Sequence, residues 1–314
     1  MQVNKPGAWK NAGYEISGGG LLILDTKNHD QVYISAGTTT LAAFGDGGGT
    51  LDFKNGNYFL DGVSPTITTT RGSAGNVNES FIKGGAGINL NGQRITFEIA
   101  EYSELTCTSR FWNGNNGLAF TGAGTFNLVS NFERAVGLTS NISRLNIQDG
   151  VTHVVGPLTV NSGEFSPGSA TGAFGTATID GAFTVSNGGT LVLEVGSDAH
   201  DLLVLNPLMT NTFQAGSIQL DILSVPNTED FFEILAGLDA SKSEVMSWLA
   251  AVSLEGFMLN YDYYNSVASP GSQGLWLSIT AANDDDGNDV PEPATWGMLL
   301  LGGIAVLGGV RRRR

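Results

Sequence analysis

Gly49-Thr50-Leu51-Asp52-Phe53, Gly124-Thr125-Phe126-Asn127-Leu128 and Gly189-Thr190-Leu191-Val192-Leu193 share one form, a Gly-Thr pair followed by apolar residues at alternate positions. Alternation of period two puts the apolar residues on one face of a strand, and the glycine marks the turn that opens it. Around these units lie further short runs of the same kind, Ile142-Ser143-Arg144-Leu145-Asn146-Ile147, Thr152-His153-Val154-Val155, Pro157-Leu158-Thr159-Val160 and Ala182-Phe183-Thr184-Val185. Strands this short cannot each bury a face alone. Stacked as rungs they can, because each rung covers its inward residues with those of its neighbours. The fold expected from about Gly18 to Gly196 is therefore mainly β, a right-handed β-helix or solenoid.

The composition agrees. Forty-four glycines and only 14% charged residues favour tight turns between short strands over long solvated helices. An apolar share of 41% over 314 residues is enough for a folded core. The formal charge of -15 excludes nucleic acid as a partner, since phosphate binding rests on Lys and Arg. The single cysteine, Cys107, can form no internal disulfide and reads as a small strand residue.

After Gly196 the strands become more apolar, as in Asp201-Leu202-Leu203-Val204-Leu205, Ser217-Ile218-Gln219-Leu220-Asp221-Ile222-Leu223 and Phe231-Phe232-Glu233-Ile234-Leu235. These are expected to form a small C-terminal β-rich cap. Ser241-Lys242-Ser243-Glu244 fits a capping box, and Val245, Trp248, Leu249 and Val252 follow at helical spacing, which predicts one short helix. Leu275-Trp276-Leu277-Ser278-Ile279 supplies a last strand, so the globular part should end near Thr280. The domain organisation expected is a Gly-rich solenoid body over 1–196, the cap over 197–280, an acidic spacer over 281–290 and a terminal segment over 291–314.

That terminal segment carries the most specific signal. Val290-Pro291-Glu292-Pro293 precedes an uncharged stretch from Ala294 to Val310, with Trp296 near its start, and Arg311, Arg312, Arg313 and Arg314 close the chain. Seventeen helical residues reach about 25 Å, the short end of a membrane span. Trp296 suits one interface, and the arginines belong on the cytoplasmic side, leaving everything before Pro291 outside. Gly302-Gly303 and Gly308-Gly309 would permit close helix approach.

The Pro-Glu-Pro motif, apolar helix and Arg cluster together resemble the tripartite signal of PEP-CTERM proteins. The resemblance implies export across the inner membrane, transient retention by the helix, and processing near Pro291 to Pro293 by an exosortase-type transpeptidase. It further implies delivery to the cell surface or extracellular matrix, where polysaccharide is a possible partner. Gly114-Asn115-Asn116-Gly117-Leu118-Ala119-Phe120-Thr121-Gly122-Ala123-Gly124-Thr125 and Leu158-Thr159-Val160-Asn161-Ser162-Gly163-Glu164-Phe165-Ser166-Pro167-Gly168-Ser169 are in turn similar to autotransporter-associated β-strand repeats. Export implies an N-terminal signal, yet Met1-Gln2-Val3-Asn4-Lys5-Pro6-Gly7 lacks the usual apolar run, so the sequence reads as starting downstream of one.

Little in the sequence points to catalytic chemistry. His29, His153 and His200 are the only histidines and no Gly-x-Ser-x-Gly elbow accompanies them, so no nucleophilic triad is expected. Asp198, His200 and Asp201 read as turn formers ahead of metal ligands. Asp284 to Asp289 resembles a calcium loop, but Thr295 stands where a bidentate Glu belongs, which leaves a solvated spacer. Gly45-Asp46-Gly47-Gly48-Gly49-Thr50 lacks the Lys that a phosphate cradle requires. Phe111, Trp112, Tyr261, Tyr263 and Tyr264 read as core ahead of sugar platforms.

The reading that emerges is a non-enzymatic, structural or adhesive protein without a cofactor. Its rival is a carbohydrate-active β-helix enzyme or polysaccharide-binding module. That rival predicts that Glu98, Glu101 and Glu104 converge in one groove with Arg94 or Arg110.

Overall fold

The computed structural model describes residues 2–3, 14–16, 18–25, 31–34, 40–55, 57–84, 87–112, 114–129, 136–147, 156–168, 174–186, 188–225, 231–252, 255 and 257–281. The chain in this range coils through parallel pairings. β1 (Gln2–Val3) leads into a first turn of β2 (Tyr14–Ile16), β3 (Gly20–Asp25) and β4 (Gln31–Ile34). The second turn is β5 (Thr40–Phe44), β6 (Gly49–Asn55) and β7 (Asn57–Leu60), and the third is β8 (Thr66–Thr69), β9 (Asn78–Lys83) and β10 (Ile88–Asn89). The fourth is β11 (Ile95–Ile99), β12 (Ser103–Cys107) and β13 (Phe111–Trp112). Then come β14 (Gly114–Leu128), β15 (Val136–Ile147), β16 (Leu158–Pro167) and β17 (Thr176–Ile179), followed by β18 (Phe183–Val185), β19 (Gly189–Val195) and β20 (Leu202–Leu205). β21 (Ile218–Ile222), β22 (Phe232–Leu238), the helix α1 (Lys242–Trp248), β23 (Phe257–Asn265) and β24 (Gln273–Ala281) complete it.

Each strand pairs with its counterpart one turn away, which builds three faces. The first runs β2, β5, β8, β11, β14, β15, β16, β18. The second runs β1, β3, β6, β9, β12, β14, β15, β16, β19, β21. The third consists of β4, β7, β10 and β13, and later of β17, β20 and β22. The body is thus the mainly β, parallel coil that stacked rungs require.

The three Gly-Thr units all fall on the second face. Thr125 and Thr190 occupy one register column, joined through Arg144 and Glu164, whereas the first unit lies two residues along, with Leu51 aligned through Ile82 and Cys107 to Leu128. A shift of two keeps the same residues inward.

β14 and β16 cross from the first face to the second without a break. Their corners are Gly122, at φ +110°, and Gly163, at φ +72°. A side chain at Gly122 would fall 2.1 Å from the Ile99 carbonyl oxygen, and one at Gly163 would fall 1.9 Å from that of Ile142. The backbone of the preceding rung occupies the space a Cβ needs, in a conformation that already disfavours one.

Inside the coil the columns are continuous. Leu22, Leu51, Ile82, Cys107, Leu128 and Ile147 stack on the second face, and Ile95, Leu118, Leu138, Leu158 and Phe183 on the first. All are buried. Phe120 lies with its ring centroid 5.4 Å from Phe97 and 4.5 Å from Phe126, linking the two faces across the core. Each such side chain contributes about 1.5–3 kcal/mol through burial.

Parallel pairing continues past residue 196 through β19 to β21 and β20 to β22, while β24 pairs antiparallel with both β22 and β23. α1 seats at this end. The Ser241 hydroxyl accepts from the Glu244 amide at 3.3 Å, as the capping box predicts. Val245 and Trp248 are buried, with Trp248 stacked 4.5 Å from Phe213. The Ala250 amide then donates to the Ile218 carbonyl at 2.7 Å, closing the rung.

Candidate functional site

Four outward positions on the second face that alternation would expose are buried, namely Asn127, Asn146, Ser166 and Glu194. They form one network. The Asn127 amide donates to Glu104 and, at 3.3 Å, to the Thr106 hydroxyl; the Asn146 amide donates to Asn127 Oδ1 at 2.8 Å. Arg144 Nε donates to Asn146 Oδ1 at 2.9 Å, its Nη1 reaches Glu164 Oε2 at 3.2 Å, and its Nη2 reaches Glu194 Oε1 at 2.7 Å. One guanidinium therefore holds two carboxylates from the two following rungs, using the fork geometry that suits Arg.

Beyond Glu194 the network turns the corner into the third face. Asp201 accepts from the Glu194 amide at 2.9 Å and the Ser166 hydroxyl at 3.3 Å through Oδ2, and from the Gly175 amide at 2.9 Å through Oδ1. Burial pushes its carboxyl up to about 7, against the pull of the two amide donors. The tight turn from Ser197 to Asp201 is closed by the antiparallel bridge between Val195 and His200, so the turn reading of this segment fits its geometry. Asp201 does more than form a turn, since it ties three segments together.

The acids singled out from the sequence do not converge. Glu98 points outward on the first face in register with Thr68 and Thr121, while Glu104 is on the second face between Glu79 and Thr125. Glu101 lies in the turn between β11 and β12 and pairs with Arg71 at 2.6 Å, with both side chains exposed. Arg94 and Arg110 are exposed in the segments before β11 and β13. The groove that a carbohydrate-active centre would need from these five residues is not assembled. The buried acid that does meet a base, Glu194, pairs with Arg144 across 50 residues of sequence.

The remaining candidates are placed as follows. Cys107 is buried in the inward column, where desolvation pushes its thiol up to about 12, making it inert. Phe111 is core. Tyr261 and Tyr263 pack against the core, whereas Tyr264, expected as core, is exposed and stacks one ring face on Trp276 at 5.0 Å. His200 lies tilted against Phe232 with ring centroids 4.5 Å apart, and its burial lowers its pKa. Among the described residues no group of three or more His, Cys, Asp or Glu is arranged to hold a metal ion. Ala281, the first residue assigned to the acidic spacer, closes β24, whereas His29, His153, the spacer from 282 on, Val290-Pro291-Glu292-Pro293, the apolar stretch and Arg311 to Arg314 lie outside the described residues. Among the described residues no helix is long and apolar enough to cross a membrane.

Comparison with curated proteins and with solved structures gave no match. Comparison with protein families gave a PEP-CTERM protein-sorting motif at residues 289–314. The match covers the terminal segment alone and implies export and exosortase-directed sorting to the cell surface, with a mainly β body as the cargo.

Proposed function

We propose that the chain is a non-enzymatic structural or adhesive protein of the cell surface or extracellular matrix, a rigid acidic rod whose C-terminal signal is cut near Pro291 to Ala294. The sorting motif carries the reading. Before processing, the stretch from Ala294 to Val310 holds the chain in the inner membrane with the body outside and Arg311 to Arg314 in the cytoplasm, as the positive-inside rule requires. The coil is right-handed by the strong preference of parallel crossovers, and its rungs are akin to autotransporter-associated repeats, with the two similar runs on β14 and β16, both neighbours of β15.

A non-catalytic role is supported by how the buried acid-base cluster on the second face is used. Arg144, Glu164, Glu194 and Asp201 bond to one another and to backbone amides, and Glu194 has no exposure at all. Such a network fixes rungs in register; it does not present a proton to a substrate. Replacement of Pro291, Glu292 and Pro293 by alanine tests the proposal through surface labelling of intact cells. Loss of surface protein with accumulation in the inner membrane is expected. Undiminished surface display would overturn the reading.

A further inference from the structure

On the first face the outward residues of successive rungs align as Thr40, Thr66, Thr96, Ala119, Thr139, Thr159, Thr184 and Thr212. Seven of these eight register positions are threonine. High β-propensity alone would scatter threonine over all outward columns. The column beside it instead mixes Ala43, Thr68, Glu98, Thr121 and Asn141. Thr212 is exposed and the other threonines are half-exposed.

Two further features make the column a regular array. The register irregularities of this face fall between Thr40 and Ala42, between Gly114 and Leu118, between Gly122 and Thr125, and from Ser140 to Arg144. From Thr66 to Thr184 every one of them flanks the column and none interrupts it. Beneath it, each of the rungs from β11 to β18 places buried residues on both sides of the column position, Ile95 and Phe97, Leu118 and Phe120, Leu138 and Ser140, Leu158 and Val160, and Phe183 and Val185. The backbone that carries the threonines is thereby held from inside.

Strands repeat every 4.7–4.9 Å or so, so eight positions extend over roughly 34 Å. β-Branching restricts χ1, which lets methyl and hydroxyl groups repeat with the rungs. No charge interrupts the column, although the chain carries a net -15. A surface that is neutral, periodic, and alternately apolar and hydrogen-bonding complements a ligand with the same properties. A sugar polymer would call for aromatic plates, and the column has none. Rows of water oxygens in an ice crystal repeat at a spacing close to that of β-strands, and water ordered over the methyls and held by the hydroxyls can join such a lattice.

We infer that this threonine column is an ice-binding face, a function distinct from sorting and from the structural role proposed above. The test is partition of the full chain, in mild detergent, between a slowly grown ice crystal and the remaining liquid, with detergent buffer as blank. The wild type is expected to be enriched in ice, and Thr139→Tyr with Thr159→Tyr to reduce its partition by about tenfold. The same change at Thr178, on the third face, should leave it unaltered. Ala119→Thr, which completes the column, should increase partition, and keeps the test decisive if the tyrosine variant fails to fold. Exclusion of the wild type from ice overturns the inference, as does equal partition of wild type and a folded tyrosine variant. Retention on insoluble glycans with exclusion from ice would assign the face to sugar instead.

Discussion

The first and second faces belong to one continuous sheet and share the same kind of interior, yet their outward columns have opposite fates. On the second face, Asn127, Asn146 and Glu194 are buried beneath a network of charged and amide side chains bonded to one another; on the first, an uncharged threonine column stays at the surface. Identical inward patterning therefore fixes the coil, while the outward residues decide which face is consumed by structure and which is left for contact. A solenoid needs both, because rungs with interchangeable apolar interiors can slip unless something specific fixes their order.

That contrast is broken most forcefully at Arg144. Arg144→Met leaves Glu194 buried without its cation and should destabilise the fold by about 3–5 kcal/mol, read from chemical denaturation. Adding Glu194→Gln should recover much of the loss, whereas no recovery would mean that Arg144 acts through packing alone. Next in size is Gly122→Val. It forces a Cβ to within 2.1 Å of the Ile99 carbonyl oxygen at a positive φ, and a loss of about 3 kcal/mol or more is expected at this corner shared by both faces.

A pH titration sharpens the same comparison. Asp201 has its carboxyl raised to about 7 by burial, so the folded state holds the proton more tightly than the unfolded chain. Its contribution is complete below about pH 4 and declines as pH rises towards 7, at up to about 1.4 kcal/mol for each unit of displacement. Asp201→Asn should flatten the dependence of melting temperature on pH across that window, and an unchanged slope would show that Asp201 is ionised in the fold. Smallest of all, Thr159→Val on the open face should change stability by less than about 0.5 kcal/mol. A larger loss would mean that the threonine column is itself a structural network.

Much of the coil was legible in the sequence because its signals are local. A Gly-Thr pair and two apolar residues at alternate positions identify a strand and its inward face, and Ser241 with Glu244 marks a helix start. The functional-site residues were not legible for the opposite reason. Arg144 meets Glu164 and Glu194 at separations of 20 and 50 residues, and nothing in the intervening chain announces that these positions share a column. The acids that the rival enzymatic reading requires, Glu98, Glu101 and Glu104, are close in number but distribute over two faces and a turn. The threonine column was invisible likewise, since one threonine per rung becomes a pattern only when uneven turn lengths have been aligned by the register. In the terminal segment the converse holds, because sorting signals are read by order along the chain.

Delivery outward requires that the chain be cut at that signal. Intact mass of its C-terminus, measured on protein from the cell surface and medium of the native host beside an exosortase-deficient strain, tests this most directly. A chain ending between Pro291 and Ala294 in the competent strain alone is the expected result. Protein still ending in Arg314 and lodged in the inner membrane of both strains would contradict it.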